Sequence, residues 1–392
     1  MNITHIEHQL EHQVKVPTPN YMDISLMYGN ESGRNADVYS LADVDLLFAN
    51  IELDIYIDLG VVNIILIVLY SAIFIVGLLG NIFVIVAIIK FKSLRTLTNY
   101  FLLNLTVGDI LVILVCIPVT LGSTVYKKWI YGQVLCKLTP FCQGTAVAVS
   151  VLSLLFICVS RCFAIYKPLR AKIIFSKHNV KFMIIVIWLL SFGSMCPLLI
   201  VNSVKTITIY ELFDSVTCQE SWGSLTDKHV FNGFIFCAFF VLPLTMMSIG
   251  YSVIGHTLWI GNSILMEGNG CQKKSNNIIL KQRRRTVKML ICIVVIFGLC
   301  WLPYYIVYFW IDANLSIGAD NGILTNVYPF VMLLGLSNSA VNPICYCILS
   351  RGFRRGFDSI LCVNFLRRGG SFLRSSFKMK STASGSIDTA EV

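Results

Sequence analysis

Charged residues are scarce in this chain, and seven long stretches are almost free of them. Asp, Glu, Lys and Arg make up 13% of the 392 residues, whereas 56% of the residues are hydrophobic. A composition this apolar argues against a soluble globular protein. A bilayer core of about 30 Å needs about 20 apolar residues per helix. The sequence therefore predicts an all-α fold, a bundle of seven membrane-spanning helices, over the stretches Leu59–Ile89, Asn99–Val125, Leu135–Cys162, Phe182–Val201, Val230–Leu258, Val287–Ile311 and Ile323–Leu349.

An apolar h-region is missing from the first 30 residues, so we predict that no signal peptide is cleaved and that the first span is the signal anchor. Phe353, Phe357 and Ile360 share one face of a segment that carries arginines between them, which predicts an amphipathic helix on the membrane surface. Cys362 at its end is a palmitoylation candidate. The predicted divisions are an N-terminal tail over 1–58, the bundle over 59–349, the surface helix over 350–363 and a disordered tail over 364–392.

Basic residues are few on one side of the predicted bundle, and acidic residues are few on the other. With the N-terminus outside, 24 of the 31 Lys and Arg residues lie on the inner side, and 16 of the 21 Asp and Glu residues lie on the outer side. Lys and Arg mark the cytoplasmic side, so we predict a multi-pass plasma-membrane protein with an extracellular N-terminus. Asn2 and Asn30 are then glycosylation acceptors. The acidic outer face would attract cationic ligands, or it is only a solvated acidic tail.

Several short motifs occur in order, each in its own predicted span or loop. They are Gly80-Asn81, Asn104-Leu105-x-x-x-Asp109, Trp129-x-Tyr131-Gly132-x-x-x-Cys136, Trp188, Pro243 with Tyr251, Cys300-Trp301-Leu302-Pro303 and Asn338-Ser339-x-x-Asn342-Pro343-x-x-Tyr346. With these motifs the chain resembles the rhodopsin-like receptors from about Gly77 to Cys362. The resemblance implies a receptor that acts through heterotrimeric G proteins, catalyses no reaction and binds no nucleic acid. It also implies a disulfide between Cys136 and Cys218, which both face an oxidising compartment.

Asp109 is the single acidic residue inside the predicted spans. An unpaired carboxylate at that depth is costly or takes up a proton, so Asp109 needs a cation or hydrogen-bond donors. By the resemblance, an allosteric sodium ion is expected there, and no other cofactor. Its pocket would consist of Asp109, Ser150, Asn338, Ser339 and Asn342. The alternative is a protonated Asp109 in a water-linked polar network.

A carboxylate is missing at the inner end of the third span. Ser160-Arg161-Cys162 stands where the family has Asp-Arg-Tyr or Glu-Arg-Tyr, so Arg161 lacks its neighbouring anion and the resting-state lock should be weaker. Prolines inside helices remove backbone donors and allow bends. By the resemblance, the activation switches are Arg161, Pro243, Tyr251, Phe297, Trp301, Pro303, Pro343 and Tyr346. For Trp301 and Phe297, the alternative is ordinary aromatic packing beside a kink.

The inner side of the chain carries the features expected to meet other proteins. The basic run Lys281–Arg285 would contact the G protein, although anchoring of the inner side explains it equally well. The C-terminal tail is rich in Ser and Thr, which suits phosphorylation. By the resemblance, this tail would meet receptor kinases and arrestin, and the surface helix would contact membrane lipids.

Two further absences narrow the ligand class. The seventh predicted span contains no lysine, which excludes a retinal Schiff base, and Lys137 to Ser160 contains no acidic residue, which disfavours an amine ligand. A peptide is favoured. The β-branched alternation over Val204–Tyr210 predicts a hairpin lid, the form found in the peptide receptors of this family, and Pro118 points the same way.

Within that family, the chain resembles receptors for peptides with an amidated Arg-Phe or Arg-Tyr end, namely the neuropeptide FF, pyroglutamylated RFamide and neuropeptide Y receptors. By this resemblance, Thr120 and Gln143 would hold the terminal amide, and Asp312 would meet the peptide's arginine. The alternatives are that Thr120 and Gln143 satisfy each other and that Asp312 caps the third outer loop. The other predicted ligand-binding residues are Glu220, Trp301, Tyr304, Tyr305 and Tyr328.

The sequence therefore predicts a neuropeptide receptor for an amidated, arginine-containing peptide. An orexin-like or cholecystokinin-like peptide receptor is the nearest alternative. A ligandless, constitutively active receptor and a membrane transporter are alternatives from other classes, although only Asp109 would line a transport path.

Overall fold

The computed structural model describes residues 60–126, 128–209, 213–259, 270–314 and 326–360. Within these ranges the seven predicted spans are helices, at Val61–Lys90, Leu97–Val125, Gly132–Tyr166, Lys177–Val201, Leu225–Leu258, Leu280–Ala313 and Tyr328–Leu349. A short helix, Pro168–Ile174, joins the third span to the fourth. The all-α bundle of seven spans is thus confirmed. The predicted tails, Asn2, Asn30 and Cys362 lie outside the described residues.

Several helices run past their predicted ends, because hydropathy marks only the part of a helix that suits lipid. The third helix continues to Tyr166 instead of ending at Cys162. The sixth begins at Gly270, so that the basic run Lys281–Arg285 is part of it. Lys and Arg are good helix formers, and the helix therefore continues where the apolar pattern stops.

Two spans contain a π-helical turn just before a proline. Val112–Cys116 precedes Pro118 in the second span, and Cys237–Val241 precedes Pro243 in the fifth. A proline lacks the N–H group, and its ring clashes with the carbonyl four residues earlier. A wider turn moves that carbonyl away and re-aims the side chains that follow. At Pro243, which was predicted to allow a bend, the helix contains this wider turn.

The first and seventh spans pack closely because glycine stands at their contact. A side chain at Gly80 would place its Cβ 2.9 Å from the Cβ of Pro343. Beside it, the Asn81 side-chain amide donates to the carbonyl of Gly77 at 2.8 Å and to that of Ser339 at 2.9 Å. Small residues let helix backbones approach each other in membranes, and the shared amide fixes the register of the two spans.

A β-hairpin covers one end of the bundle, which we call the hairpin end. Strand β1, Asn202–Ile209, pairs antiparallel with strand β2, Phe213–Glu220, and Val204 lies opposite Cys218. This confirms the predicted lid. The opposite end, which carries Arg161 and the surface helix, is called the basic end.

Covalent and hydrogen bonds hold the hairpin against the third span. A disulfide joins Cys136 to Cys218, as predicted, with the two Cα atoms 5.6 Å apart. The Val204 amide donates to the Gln133 side chain at 2.8 Å, and the Trp129 amide donates to the carbonyl of Val216 at 2.7 Å. Both strands are therefore anchored, and the lid cannot leave the third span.

The predicted surface helix covers residues 351–360 in the described part of the chain. Phe353 is fully buried with its ring 5.7 Å from that of Tyr346, and the Phe357 ring meets Phe83 edge-on at 5.3 Å. Ile360 packs against the same core. The predicted apolar face is thus confirmed, and it rests on the first and seventh spans.

Candidate functional site

Aromatic rings form a cluster between the fifth, sixth and seventh spans, toward the hairpin end. The Tyr304 ring lies 5.6 Å from Trp301, 5.5 Å from Tyr305 and 6.1 Å from Tyr328. Tyr305 in turn lies 5.0 Å from Phe236 on the fifth span. The structure therefore brings together four predicted ligand residues, as a surface that offers both ring faces and hydroxyls to a bound group.

Gln143 and Thr120 lie on the neighbouring third and second spans, and both are half-buried. The Gln143 amide nitrogen donates to the sulfur of Met332, on the seventh span, at 3.4 Å. Within the described residues no hydrogen bond joins Gln143 to Thr120, so the two side chains do not satisfy each other. A thioether is a weak acceptor, and the Gln143 carboxamide keeps most of its capacity for a stronger partner.

Asp312 lies near the hairpin end of the sixth span, and its carboxylate is already paired. One oxygen contacts the ammonium of Lys228, and the other lies 2.9 Å from His229 Nδ1. Both partners come from the first turns of the fifth span. Asp312 thus ties the fifth and sixth spans together.

Glu220 ends strand β2, and its side chain is exposed. Its carboxylate accepts from the indole N–H of Trp222 at 2.7 Å. The Trp222 ring packs 5.1 Å from Phe231 on the fifth span. Glu220 is therefore held by Trp222 beside the start of the fifth span.

Asp109 lies in the middle of the bundle with 1% of its surface exposed. The Asn342 amide donates to its carboxylate at 3.0 Å, and Ser150, Asn338 and Ser339 are buried as well. The side-chain oxygen of Asn338 has no hydrogen-bond partner among the described residues. Carboxylate, amide and hydroxyl oxygens are the ligands that hard cations prefer, and these buried side chains supply all three kinds.

Trp301 and Phe297 lie below the aromatic cluster, and both are buried. A side chain at Gly335 would place its Cβ 3.0 Å from the Trp301 ring, so the indole fills the space of an absent side chain on the seventh span. Phe297 lies 6.2 Å from Phe240 on the fifth span. The two aromatic side chains therefore connect the sixth span to both of its neighbours, next to Pro303.

Arg161 contacts the second span at the basic end. Its guanidinium donates to the hydroxyl of Thr98, whereas its Nε has no partner within the part of the chain described. The neighbouring Ser160 hydroxyl donates to its own helix, to the carbonyl of Ile157 at 2.8 Å. The neutral hydroxyl of Thr98, on the second span, thus pairs with Arg161 in place of the carboxylate that neighbours this arginine elsewhere in the family.

Two arginines hold the basic end of the sixth span to its neighbours. Arg284 Nε donates to the carbonyl of Leu258 at 2.8 Å, and Arg285 Nε donates to that of Leu349 at 2.6 Å. Both acceptors lie in the last turn of a helix, where carbonyls lack intrahelical partners and the helix dipole favours cations. The sixth span is therefore held at this end between the fifth and the seventh.

Tyr251 and Tyr346 are buried at the basic end, on the fifth and seventh spans. Their hydroxyls have no hydrogen-bond partner among the described residues. Pro343, three residues before Tyr346, lies inside a continuous helix. Two buried hydroxyls without a partner among the described residues are groups that can accept new partners when the spans move.

Comparison with known proteins decides the family. Residues 80–346 match the family described as the 7 transmembrane receptor (rhodopsin family). The chain is a member of this receptor family. The receptor is therefore no enzyme, and its seven spans place it in the plasma membrane as a multi-pass protein.

Several relatives of the receptor are named as receptors for peptides. The QRFP-like peptide receptor of Branchiostoma floridae is 35% identical over 296 residues, which cover 75% of this chain and 76% of the relative. The human neuropeptide Y receptor type 2 is 32% identical over 76% of each chain. The rat pyroglutamylated RF-amide peptide receptor is 30% identical over 77% of this chain and 70% of its own. All three relatives are named as receptors for peptides.

Sequence reasoning missed several side chains that contact the predicted residues. Thr98 meets Arg161, Met332 meets Gln143, and Lys228 with His229 meets Asp312. Each comes from a span other than that of its partner. No local pattern in the sequence indicates these contacts, because Lys228 and Asp312 are 84 residues apart and the other partners are 63 or more apart.

Proposed function

We propose that the receptor binds an extracellular peptide with an amidated, arginine-containing C-terminus and activates heterotrimeric G proteins. The observation that carries this proposal is a set of side chains on the hairpin side of the bundle. It combines an aromatic floor around Tyr304, a carboxamide at Gln143 and carboxylates at Asp312 and Glu220. The RFamide receptors among the relatives support the same ligand class.

The hairpin end is the extracellular end in this proposal. The Cys136–Cys218 disulfide supports it, because disulfides persist in oxidising compartments. The many arginines and lysines at the basic end support it as well, since such residues mark the cytoplasmic side. A peptide would then enter from outside, between the hairpin and the aromatic cluster.

The terminal amide of the peptide would lie against Gln143 and Thr120. A primary amide both donates and accepts, and so does the Gln143 side chain. The pair would exchange two hydrogen bonds, with the Thr120 hydroxyl as a further partner. A free carboxylate in the same place would lack the donor that the Gln143 carbonyl needs, and its charge would be desolvated.

The peptide's arginine would lie nearer the mouth, at Asp312 and Glu220. A guanidinium pairs with carboxylates through two parallel hydrogen bonds, which gives both strength and direction. Its aromatic neighbour would rest on the rings of Trp301, Tyr304 and Tyr328. Contact with Trp301 is the proposed route by which the ligand moves the sixth span.

A sodium ion would occupy the Asp109 pocket in the resting receptor. Asp109, Ser150, Asn338, Ser339 and Asn342 would hold it, and the unpaired oxygen of Asn338 supports this set. The ion would neutralise a buried carboxylate that is otherwise costly. Binding of the ion would favour the arrangement in which these five side chains converge.

Activation would open the basic end to the G protein. Arg161 would leave Thr98 and meet Tyr251 and Tyr346, whose hydroxyls lack partners among the described residues. Movement of the sixth span would require Arg284 and Arg285 to release their carbonyls. Arrestin and receptor kinases would act on the C-terminal tail, and membrane lipids would contact the surface helix.

A peptide screen tests the proposal. Cells that express the receptor would be exposed to amidated peptides of the RFamide, neuropeptide Y, orexin and cholecystokinin types, with calcium and cAMP reporters as the readout. Peptides that end in Arg-Phe-amide should be the most potent. If the receptor responds to peptides without this end and does not respond to peptides with it, the ligand belongs to another class of peptide.

A further inference from the structure

Met332 contacts the side chain that is proposed to hold the ligand's terminal amide. It lies on the seventh span, one helical turn after Tyr328, and its sulfur accepts from the amide nitrogen of Gln143 at 3.4 Å. Its side chain packs against a buried cluster that includes Leu66 and Tyr70 of the first span. Methionine is a flexible side chain, but this packing restricts where the sulfur can lie. The thioether is therefore held against the carboxamide.

The thioether determines which side of the Gln143 carboxamide faces it. A methionine sulfur carries no hydrogen, so it can only accept a hydrogen bond. A carboxamide has an amide nitrogen that donates on one side and a carbonyl oxygen that accepts on the other. Only the nitrogen can pair with the sulfur. The Gln143 nitrogen therefore faces the seventh span, and its carbonyl oxygen is turned away from Met332.

That carbonyl oxygen is left for another partner. The bond to Met332 is the only hydrogen bond of the Gln143 side chain among the described residues. The oxygen is also not one of the described side-chain oxygens that are both buried and unpaired, so solvent or a ligand can reach it. A carbonyl oxygen needs a donor. A primary amide supplies N–H groups, whereas a carboxylate or an ester supplies none.

We propose that Met332 is a positioning residue, which fixes the orientation of the Gln143 carboxamide and thereby makes the receptor prefer a terminal amide over a free carboxylate. This inference rests on the proposed function, because it takes Gln143 as the amide subsite. Half a turn about the last side-chain bond of Gln143 would put the nitrogen in the place of the carbonyl oxygen, and a carboxylate could then accept from it.

That half turn breaks the hydrogen bond to Met332. A bound amide does not require the turn, because its N–H groups can donate to the carbonyl oxygen as it stands. A bound carboxylate does require it. The cost therefore falls on the carboxylate alone, and it remains in the ratio of the two affinities.

The test compares three synthetic peptides that differ only at their ends, namely Arg-Phe-amide, Arg-Phe with a free carboxylate and the Arg-Phe methyl ester. Each competes with a labelled amidated peptide on the wild-type receptor and on Met332→Leu, with surface expression matched. Leucine has nearly the volume of methionine and cannot accept a hydrogen bond. Met195→Leu is the control variant. Met195 lies on the fourth span, and a Cβ at Gly144 would lie 2.7 Å from its sulfur. The control thus removes a thioether beside the third span that does not contact Gln143.

Met332→Leu should lower the preference for the amide. The carboxylate and the ester should each bind about threefold to fivefold more tightly, relative to the amide, than they do on the wild type, which is the change expected from the loss of a weak hydrogen bond. The ester is neutral, so its gain separates the missing donor from the effect of charge. Met195→Leu should leave both ratios unchanged. In a receptor that already carries Gln143→Ala, Met332→Leu should have no effect on the ratios, because Met332 acts through Gln143.

Other results would overturn the inference. A change of the same size in Met195→Leu, or in the receptor that carries Gln143→Ala, would mean that Met332 does not act through Gln143. A gain for the carboxylate without a gain for the ester would assign the effect to charge. If the wild-type receptor itself binds the amide and the carboxylate equally, the amide part of the proposed function fails, and the inference fails with it. If the wild type separates them but Met332→Leu leaves the ratios unchanged, only the inference is wrong.

Discussion

The contact between Arg161 and Thr98 predicts the effect of one conservative substitution. Thr98, on the second span, is 6% exposed, and its hydroxyl accepts a hydrogen bond from the guanidinium of Arg161 on the third span. Thr98→Val keeps the shape of the side chain and removes the acceptor. In the proposed active arrangement Arg161 has left Thr98, so the substitution destabilises the resting state alone. Basal activation of the G protein should therefore rise.

The expected size of this rise in basal activation follows from the strength of the hydrogen bond between Arg161 and Thr98. Hydrogen bonds to charged groups contribute about 1.5 to 3 kcal/mol, and the lower value applies because a half-buried arginine can find water instead. A loss of about 1.4 kcal/mol changes an equilibrium about tenfold. An active state populated at about 1% would then reach about 10%.

Ligand-free G protein activation is the assay, with surface expression matched by labelling an N-terminal tag. Thr98→Ser is the control variant, because it keeps the hydroxyl and should keep the low basal signal. The reasoning is refuted if Thr98→Val and Thr98→Ser have the same basal activity as the wild type. It is equally refuted if Thr98→Ser raises the signal as much as Thr98→Val.

Three further substitutions test the site. Ser160→Asp should supply the missing anion beside Arg161 and lower basal activation by a factor that corresponds to about 0.5 to 1 kcal/mol; an unchanged or higher signal would mean that Ser160 is not the weak point. Asp312→Ala should weaken an arginine peptide by about 1.5 to 3 kcal/mol and spare its citrulline analogue, whereas equal losses would remove Asp312 from the arginine subsite. Asp109→Asn should abolish the effect of sodium on agonist affinity, and a sodium effect that persists, relative to a choline control, would place the ion elsewhere.

The local sequence predicted the elements whose formation depends on interactions between neighbouring residues. Long apolar runs specify the spans, because backbone groups in lipid must be satisfied within a helix. The alternation over Val204–Tyr210 predicted strand β1, and the spacing of Phe353, Phe357 and Ile360 predicted the face of the surface helix that contacts the bundle. The Cys136–Cys218 disulfide came from the family resemblance, and the structure contains it.

Contacts between spans were harder to predict. Asp312 was predicted to meet the ligand's arginine, but its contact with Lys228 was not predicted, because the rotation of each span about its own axis decides which side chains meet. Thr98 was missed for the same reason, since nothing in the local sequence distinguishes it from Thr96, which caps the same helix. The π turns before Pro118 and Pro243 were also not predicted. Each proline ring displaces a backbone carbonyl, and the surrounding spans decide how the helix accommodates it.

The comparison of an amidated peptide with its free acid tests the central claim most directly. A peptide that ends in Arg-Phe-amide and the same peptide with a free carboxylate would be measured for activation of the wild-type receptor and of Gln143→Ala. We predict that the amide is at least about tenfold more potent on the wild type, and that the two differ little on Gln143→Ala. A free acid that activates the wild-type receptor as well as the amide does would contradict the account.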